Sequence, residues 1–324
     1  MHITIDTLSS FESVRDPVWA YGAAWIGSLR FRHIPGVRLE MEGLERLPKQ
    51  QVIFAQNHTH MLDFLPLRAP LLVDHGINMV SWVKARAFKH PAMGKFLSKT
   101  GCPPLCSRGY FIVADFHALI GRRPSEAEYQ ALRAHTTHGE PLPAGEPFEA
   151  IKRVARDMVG WHFNPQCTTY REAIEAAYQE AIAITLRLTR RAMNHGHHVH
   201  VYPQGSISSR LTRGHLGLAH AAAALDLPVV PVGVSGCRET FVGSSPSLRP
   251  GRIVVRFGDP YRIPIEELPA GFRPFNREDE LANYDWMQHH VDEVMARLNT
   301  LLEPDYQYSE GFEHDGKSGT ARFF

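Results

Sequence analysis

Hydrophobic and polar positions along the chain follow two periodicities, one typical of buried strands and the other of amphipathic helices. Bounded apolar runs predict strands at residues 51–56 (QVIFAQ), 77–83 (INMVSWV), 197–203 (HHVHVYP), 228–236 (PVVPVGVSG) and 252–260 (RIVVRFGDP). Apolar residues at alternating four- and three-residue steps predict a long helix from Tyr170 to about Asn194, capped by Thr168 or Thr169. Shorter helices are expected after Asp63 to about residue 75, over residues 92–100 and over residues 216–227.

The order of these elements determines the predicted fold class. Helices and strands alternate along the chain, which predicts a mixed α/β fold with a mostly parallel central sheet flanked by helices. Residues 115–166 interrupt the alternation, because two helical patches, from Ser125 and from Glu146, enclose a stretch rich in Pro and Gly. We interpret this segment as a helical insertion, with a lid or substrate cover as its expected role.

The chain is expected to divide into an N-terminal helical region (1–40), an α/β domain (41–303) and a polar tail (304–324). An uncharged apolar run at residues 17–29 is too short to span a bilayer. Its Trp19, Tyr21, Trp25 and Ile26, followed by basic residues, suit a helix that lies in a membrane interface. A helix packed on the protein's own core fits the pattern equally well.

Composition narrows the class of protein. The 324 residues are 44% hydrophobic and 21% charged, so the chain can bury a substantial core. A net charge of +1 gives no reason to expect a nucleic-acid partner. Residues 84–123 are locally basic, with Asp115 as the single acid, and can face phosphates or lipid headgroups or simply be solvated. The sequence shows no signal peptide, so its four cysteines are expected to be free thiols in a reducing compartment; they are Cys102, Cys106, Cys167 and Cys237.

Candidate chemistry is concentrated in QNHTHMLDF, residues 56–64. His58, His60 and Asp63 can be interpreted as metal ligands, with His198 and His200 as possible further ligands. Alternatively, His58 and Asp63 alone form a general-base pair, and His60 then lines the site. The spacing of the first three residues departs from the H-x-H-x-D-H pattern of dinuclear hydrolases, which favours the second interpretation.

Four blocks of sequence, in order between about residues 42 and 258, resemble the glycerolipid acyltransferase family, which includes the bacterial lysophosphatidate acyltransferases. NHTHMLD matches the family's N-H-x4-D, and GCPPLCSRG is a loose version of the segment that ends in arginine, here Arg108. YPQGSISSR matches F-P-E-G-T-R-S, and LPVVPVGVSG matches an apolar strand with a central proline. WVKARAFKHPAMGKFLSKTG, between the first two blocks, is also similar to the family.

The resemblance implies an O-acyltransferase that needs no metal or other cofactor. His58 would take the proton from an acceptor hydroxyl, and Asp63 would orient the imidazole. The block that holds Gln204, Gly205 and Ser206 would bind substrate, with backbone N–H groups near Gly205 facing the developing oxyanion. Lys84, Arg108 and Arg210 would hold an acceptor phosphate. The implied partners are a lipid acceptor, acyl-CoA or acyl carrier protein as acyl donor, and the cytoplasmic face of a membrane.

Two positions depart from the family pattern. Gln204 replaces the glutamate of the third block, and Ile207 replaces the arginine. These two positions therefore lack a carboxylate and a phosphate-binding cation. A different lysolipid, an amino-acid lipid or another hydroxylated acceptor fits the sequence as well as lysophosphatidate does. A metal-dependent hydrolase and a non-catalytic lipid-binding member of the family remain as alternatives.

Overall fold

The computed structural model describes residues 3–11, 18–313 and 320–323. The predicted N-terminal helical region and polar tail both extend to residues outside these ranges. The helices are α1 (Ile5–Ser9), α2 (Val18–His33), α3 (Leu65–His75), α4 (Pro91–Lys99), α5 (Arg108–Ile120), α6 (Glu126–His138), α7 (Phe148–Arg153), α8 (Tyr170–Asn194), α9 (Gly217–Leu225), α10 (Cys237–Thr240), α11 (Arg277–Ala282) and α12 (Tyr284–Thr300). The strands are β1 (Val37–Glu42), β2 (Ile53–Gln56), β3 (Met79–Ser81), β4 (Val83–Lys84), β5 (Pro104–Leu105), β6 (Arg156–Asp157), β7 (His162–Phe163), β8 (His198–Val201), β9 (Val229–Ser235) and β10 (Gly251–Phe257).

A six-stranded sheet forms the centre of the described chain, in the order β1-β10-β9-β2-β8-β3. Only β9 and β10 pair antiparallel, and every other neighbouring pair in this sheet is parallel. The predicted mixed α/β fold with a mostly parallel sheet is therefore confirmed. The predicted strand at residues 77–83 is divided, because Met79–Ser81 joins the central sheet whereas Val83–Lys84 pairs with β5.

The end of the predicted N-terminal helical region is a strand, so that expectation is wrong for residues 37–40. β1 pairs in parallel with β10, more than 200 positions later in the sequence. Its outward carboxylates are matched by arginines of β10: Glu40 accepts from Arg252 at 2.7 Å and Glu42 from Arg256 at 2.8 Å. Cross-strand charge pairs of this kind stabilise an exposed edge strand only modestly, and most of its stability comes from the ladder itself.

Both faces of the sheet are covered by helices. Successive side chains of a strand point to opposite faces, so neighbouring residues pack in different clusters. Ile53 of β2 belongs to the core cluster that includes α8, whereas Phe54 packs in the cluster that includes α3. Helix α8 confirms the predicted long helix, and Thr169 is its N-cap, in a reciprocal capping box with Glu172.

The segment of residues 115–166 packs into the main core. Leu132, Ile151 and Phe163 are fully buried in the cluster that includes α8. Asp115, which is buried on α5, receives two hydrogen bonds of 2.7 Å from the guanidinium of Arg156. This pair joins α5 to the β6–β7 hairpin. Separating the two partners would leave a buried charge unpaired, so the pair fixes the position of the hairpin relative to α5.

Candidate active site

The candidate residues lie at the ends of three neighbouring strands of the sheet. β2, β8 and β3 are adjacent and parallel, so their carboxyl ends meet at the same edge of the sheet. His58 follows β2, Tyr202 follows β8, and Lys84 lies shortly after β3. The site is therefore assembled by strand order, which sequence patterns alone do not determine.

Asn57 prolongs the sheet at the point where β2 ends. Its side-chain amide donates to the carbonyl of Val234 at 2.9 Å, and its side-chain oxygen accepts from the N–H of Val234 at 2.7 Å. The side chain thus occupies both the N–H and the carbonyl of Val234, which a longer parallel β2 would pair with backbone groups of two different residues. This arrangement holds the chain at the position from which His58 projects.

His58 and Asp63 form a hydrogen-bonded dyad. Nδ1 of His58 lies 3.1 Å from both carboxylate oxygens of Asp63. Asp63 is fully buried and also accepts from the backbone N–H groups of Thr59 at 2.7 Å and His60 at 3.0 Å. Because Nδ1–H donates to Asp63, the neutral imidazole carries its lone pair on Nε2, which has no partner among the described residues. Nε2 is then available as a general base.

Tyr202 contacts both members of this dyad. Its ring stacks on the imidazole of His58, with centroids 3.8 Å apart and planes inclined by 18°. Its hydroxyl donates to Oδ1 of Asp63 at 2.7 Å. Burial alone would raise the pKa of Asp63, but the charge and hydrogen bond of His58, assisted by the N–H of His60 and by Tyr202, hold it below its usual value. Sequence reasoning missed Tyr202, although it lies in the third block.

A buried hydrogen-bond chain lies beneath Asp63. The amide of Gln56 donates to the backbone carbonyl of Asp63 at 2.8 Å, and Nε2 of His200 lies 3.1 Å from the side-chain oxygen of Gln56. Ser81 Oγ lies 3.0 Å from Nδ1 of His200. Burial lowers the pKa of His200 to about 3, so the ring is neutral and donates from Nε2 while it accepts at Nδ1. The chain of polar groups fixes the backbone that carries the carboxylate.

The loop after Tyr202 closes tightly on itself. Gly205 has a left-handed φ of +68°, and a Cβ there would lie 3.0 Å from the ring of His215. The N–H of Gly205 donates to the carbonyl of Tyr202 at 2.9 Å, and the N–H of Ser206 donates to that of Gln204 at 2.8 Å. These two N–H groups are therefore occupied within the turn, contrary to the expectation that they face an oxyanion. The N–H of Ile207 has no partner among the described residues.

Gln204 links the loop that carries His58 to the loop that carries Ser206. Its amide nitrogen donates to the backbone carbonyls of His58 at 3.2 Å and Ser206 at 3.1 Å. Its side-chain oxygen is buried and has no hydrogen-bond partner among the described residues. A glutamate cannot supply these two donors when it is ionised, so the amide is the functional part of this side chain.

The three predicted cations lie in different surroundings. Nζ of Lys84 lies 3.1 Å from Oγ of Ser206, beside the loop of the third block. Arg108 is held by Glu175 at 2.6 and 3.0 Å and by Glu280 at 3.4 Å. Arg210 donates to the carbonyls of Pro304 and Gln307, each at 3.4 Å. Of the three, Lys84 is the one that contacts Ser206, whereas Arg108 is paired with carboxylates and Arg210 donates to backbone carbonyls.

An apolar cavity lies beside Tyr202 and His200. Its empty volume is about 550 Å³, part of which is open solvent. Tyr202 and His200 line it together with Ala20 and Ala24 of α2 and Leu97 of α4. The ring that stacks on His58 therefore also forms part of the cavity wall.

The metal interpretation finds no support in the geometry. In the residues that the structure describes, no group of three His, Cys, Asp or Glu side chains is arranged to hold a metal ion. Nε2 of His60 lies 2.6 Å from the carbonyl of Gly243, and its Nδ1 accepts from the N–H of Leu62 at 3.1 Å. Nδ1 of His198 accepts from the N–H of Val52 at 3.3 Å.

Comparison with known proteins gives one family match. A family model described as acyltransferase matches residues 38–140, which include the dyad, Lys84 and Arg108 but not the third and fourth blocks. No curated protein matches the chain. Among solved structures, the 1-acyl-sn-glycerophosphate (LPA) acyltransferase of Thermotoga maritima is similar, with 14% sequence identity and a TM-score of 0.42 over 86% of this chain and 80% of that one. The predicted family resemblance is therefore confirmed by the match at residues 38–140.

Proposed function

We propose that this protein, whose residues 38–140 match the acyltransferase family, transfers an acyl group from a thioester to a hydroxyl of a lipid acceptor. The observation that carries the proposal is the His58–Asp63 dyad, whose Nε2 has no partner among the described residues, stacked on Tyr202 of an apolar cavity wall. The proposed donor is acyl-CoA or acyl carrier protein, and the chemistry requires no cofactor.

The dyad accounts for each proton in the reaction. The acceptor hydroxyl donates its proton to Nε2 of His58 as its oxygen attacks the thioester carbonyl. Asp63 stabilises the imidazolium that forms and keeps the ring in the required tautomer. The tetrahedral intermediate then expels the thiolate, which takes the proton back from His58. The products are an ester and a free thiol, and no acyl-enzyme forms.

The cavity offers a place for the acyl chain. Its lining is almost entirely apolar, so a hydrocarbon chain would leave water without a polar group being buried. Because Tyr202 lies both in the cavity wall and against His58, a chain in the cavity places its carboxyl end near the dyad.

Helix α2 supports contact with a membrane surface. Val18, Trp19, Trp25 and Ile26 are each at least 58% exposed, while Ala20 and Ala24 on the opposite side are buried against the protein. Exposed aromatic residues at this density suit the headgroup region of a bilayer. None of the described helices is both long and apolar enough to cross a membrane. We propose a peripheral association with the cytoplasmic face.

The function is tested by thiol release from long-chain acyl-CoA and from acyl carrier protein, with a panel of lysolipids, monoacylglycerol and a long-chain alcohol. We expect acceptor-dependent release that survives chelator, is lost in His58→Ala and persists in His60→Ala. Release that chelator abolishes would instead indicate a metal-dependent hydrolase. Lipid binding without turnover of either donor would indicate the non-catalytic alternative.

Membrane contact is tested by flotation with anionic vesicles. The double variant Trp19→Ser, Trp25→Ser should lose most of its vesicle binding. Leu281→Ser, Tyr284→Ser removes two exposed apolar side chains elsewhere and serves as the control. Equal binding by the two variants would refute the role of α2.

A further inference from the structure

Three loops meet at the turn that carries the base. The first loop, residues 58–64, holds the His58–Asp63 dyad. The second loop, residues 203–209, is attached to the first, because the N–H of Ser208 donates to the carbonyl of His58 at 2.8 Å. The side chain of His58 is 17% exposed, so the base is accessible from solvent beside these loops.

The third loop, residues 241–248, packs against the side chain of His60. The imidazole of His60 stacks on the ring of Phe241, with centroids 4.8 Å apart and planes inclined by 9°. Its Nε2 lies 2.6 Å from the carbonyl oxygen of Gly243, and its backbone N–H donates to Asp63 at 3.0 Å. His60 thus holds the third loop next to the dyad.

Each of these loops exposes an apolar side chain. Met61 of the first loop is 42% exposed, Ile207 of the second is 40% exposed and Val242 of the third is 46% exposed. Each of them directly adjoins, in sequence, a residue that makes one of the contacts above. Apolar residues scattered singly over a surface need no explanation, but three on loops that meet at one base form an apolar patch suited to an apolar ligand.

The three loops offer no counter-charge to a charged headgroup. They contain no lysine or arginine, and their one acidic residue is the buried Asp63. A charged group next to the reacting hydroxyl would lose water here without gaining a partner on these loops, whereas a hydrocarbon chain would bury the apolar patch. Lys84 contacts the second loop from β4, with Nζ 3.1 Å from Oγ of Ser206, and its role is tested separately below.

We propose that Met61, Ile207 and Val242 form the acceptor site, and that the acceptor is an uncharged hydroxylated lipid, such as a monoacylglycerol or a long-chain alcohol. This inference rests on the proposed function, because it assigns the second substrate of the dyad. The hydrocarbon next to the hydroxyl lies on the apolar patch, and the hydroxyl donates to Nε2 of His58. The residues that line the cavity proposed for the acyl chain do not include these three, so the patch contributes to acceptor affinity and not to donor affinity.

Acceptor choice is tested with short-chain acceptors that stay monomeric, so that attachment to vesicles does not affect the result. Thiol release from acyl-CoA is measured with monoacylglycerol and with lysophosphatidate of the same chain length. We expect wild-type kcat/KM to be higher for monoacylglycerol. KM for this acceptor should rise about tenfold in Ile207→Ser or Val242→Ser, with KM for acyl-CoA unchanged. Val154→Ser is the matched control, because Val154 is also 40% exposed but lies at the end of α7.

Two results would overturn the inference and leave the proposed function intact. One is a higher wild-type kcat/KM for lysophosphatidate, and a fall of this value in Lys84→Met would then assign the headgroup to the lysine. The other is the same KM for monoacylglycerol in the wild type and all three serine variants.

Turnover with none of the acceptors would instead reject the proposed function. Binding of a fluorescent long-chain alcohol then decides the role of the apolar patch. A Kd that Ile207→Ser raises about tenfold and Val154→Ser leaves unchanged would support lipid binding there. The same Kd in the wild type and both variants would reject it.

Discussion

Replacing Tyr202 with phenylalanine removes a single hydrogen bond from the dyad. The hydroxyl donates to Oδ1 of Asp63 at 2.7 Å, whereas the ring that stacks on His58 is retained in the variant. Without this donor, the buried negative charge of Asp63 is stabilised by one hydrogen bond fewer. The folded protein is then less stable wherever Asp63 is ionised.

The magnitude follows from the hydrogen bonds to Asp63. The carboxylate accepts from the N–H groups of Thr59 and His60, from Tyr202 and from His58. A hydrogen bond to a charged group contributes about 1.5–3 kcal/mol. At pH 7 the variant should therefore lose about 1.5–3 kcal/mol of unfolding free energy.

The assay is chemical denaturation at pH 7, with kcat/KM measured in parallel. Tyr110→Phe is the matched control, because its buried hydroxyl donates to the carbonyl of Ile3 at 2.8 Å and not to the dyad. This control removes a hydrogen bond to a neutral group, so it should lose only about 0.5–1.5 kcal/mol and keep the wild-type kcat/KM. Equal losses of unfolding free energy in the two variants would refute the reasoning.

Two further predictions follow from the same geometry. Gln204→Glu restores the family residue, yet we expect activity to fall and stability to drop by about 3 kcal/mol at pH 8, because an ionised carboxylate would face two backbone carbonyls. Burial would raise the pKa of this glutamate, so the deficit should shrink towards pH 4, and thermal denaturation at both pH values tests it. Arg108→Met leaves Glu175 without its ion-pair partner and should cost about 3 kcal/mol of unfolding free energy, with KM for both substrates unchanged in the folded fraction.

Much of the fold was accessible from hydrophobic periodicity. The strands β2, β8, β9 and β10 and the helix α8 lie where apolar runs and four-three steps place them. β1 was not recognised as a strand, because its VRLEME pattern is half polar and its partner β10 is remote in sequence. Helix α12 was also not predicted, although its buried positions recur at helical spacing around Met287, Val291 and Val294.

The candidate site was only partly accessible. The spacing of His58 and Asp63 in a known block predicted a dyad, and the two side chains are within hydrogen-bond distance. Arg108 lay at the expected position, but its partners Glu175 and Glu280 come from segments 67 and 172 residues away, so its neutralisation could not be anticipated. Tyr202 illustrates the same limit, since the stacking of its ring depends on two strands being neighbours.

Asn57, the first residue of the N-H-x4-D block, has a structural role. Its side chain pairs with the backbone N–H and carbonyl of Val234, as the backbone of a longer strand would. The hydrogen bonding of the sheet therefore continues past Gln56, although the main chain turns away there. An aspartate would lack the donor, and a glutamine would displace both groups by one bond length. The asparagine therefore fixes the distance between the end of β2 and the general base His58. Variation at this position should be tolerated less than its distance from the chemistry suggests.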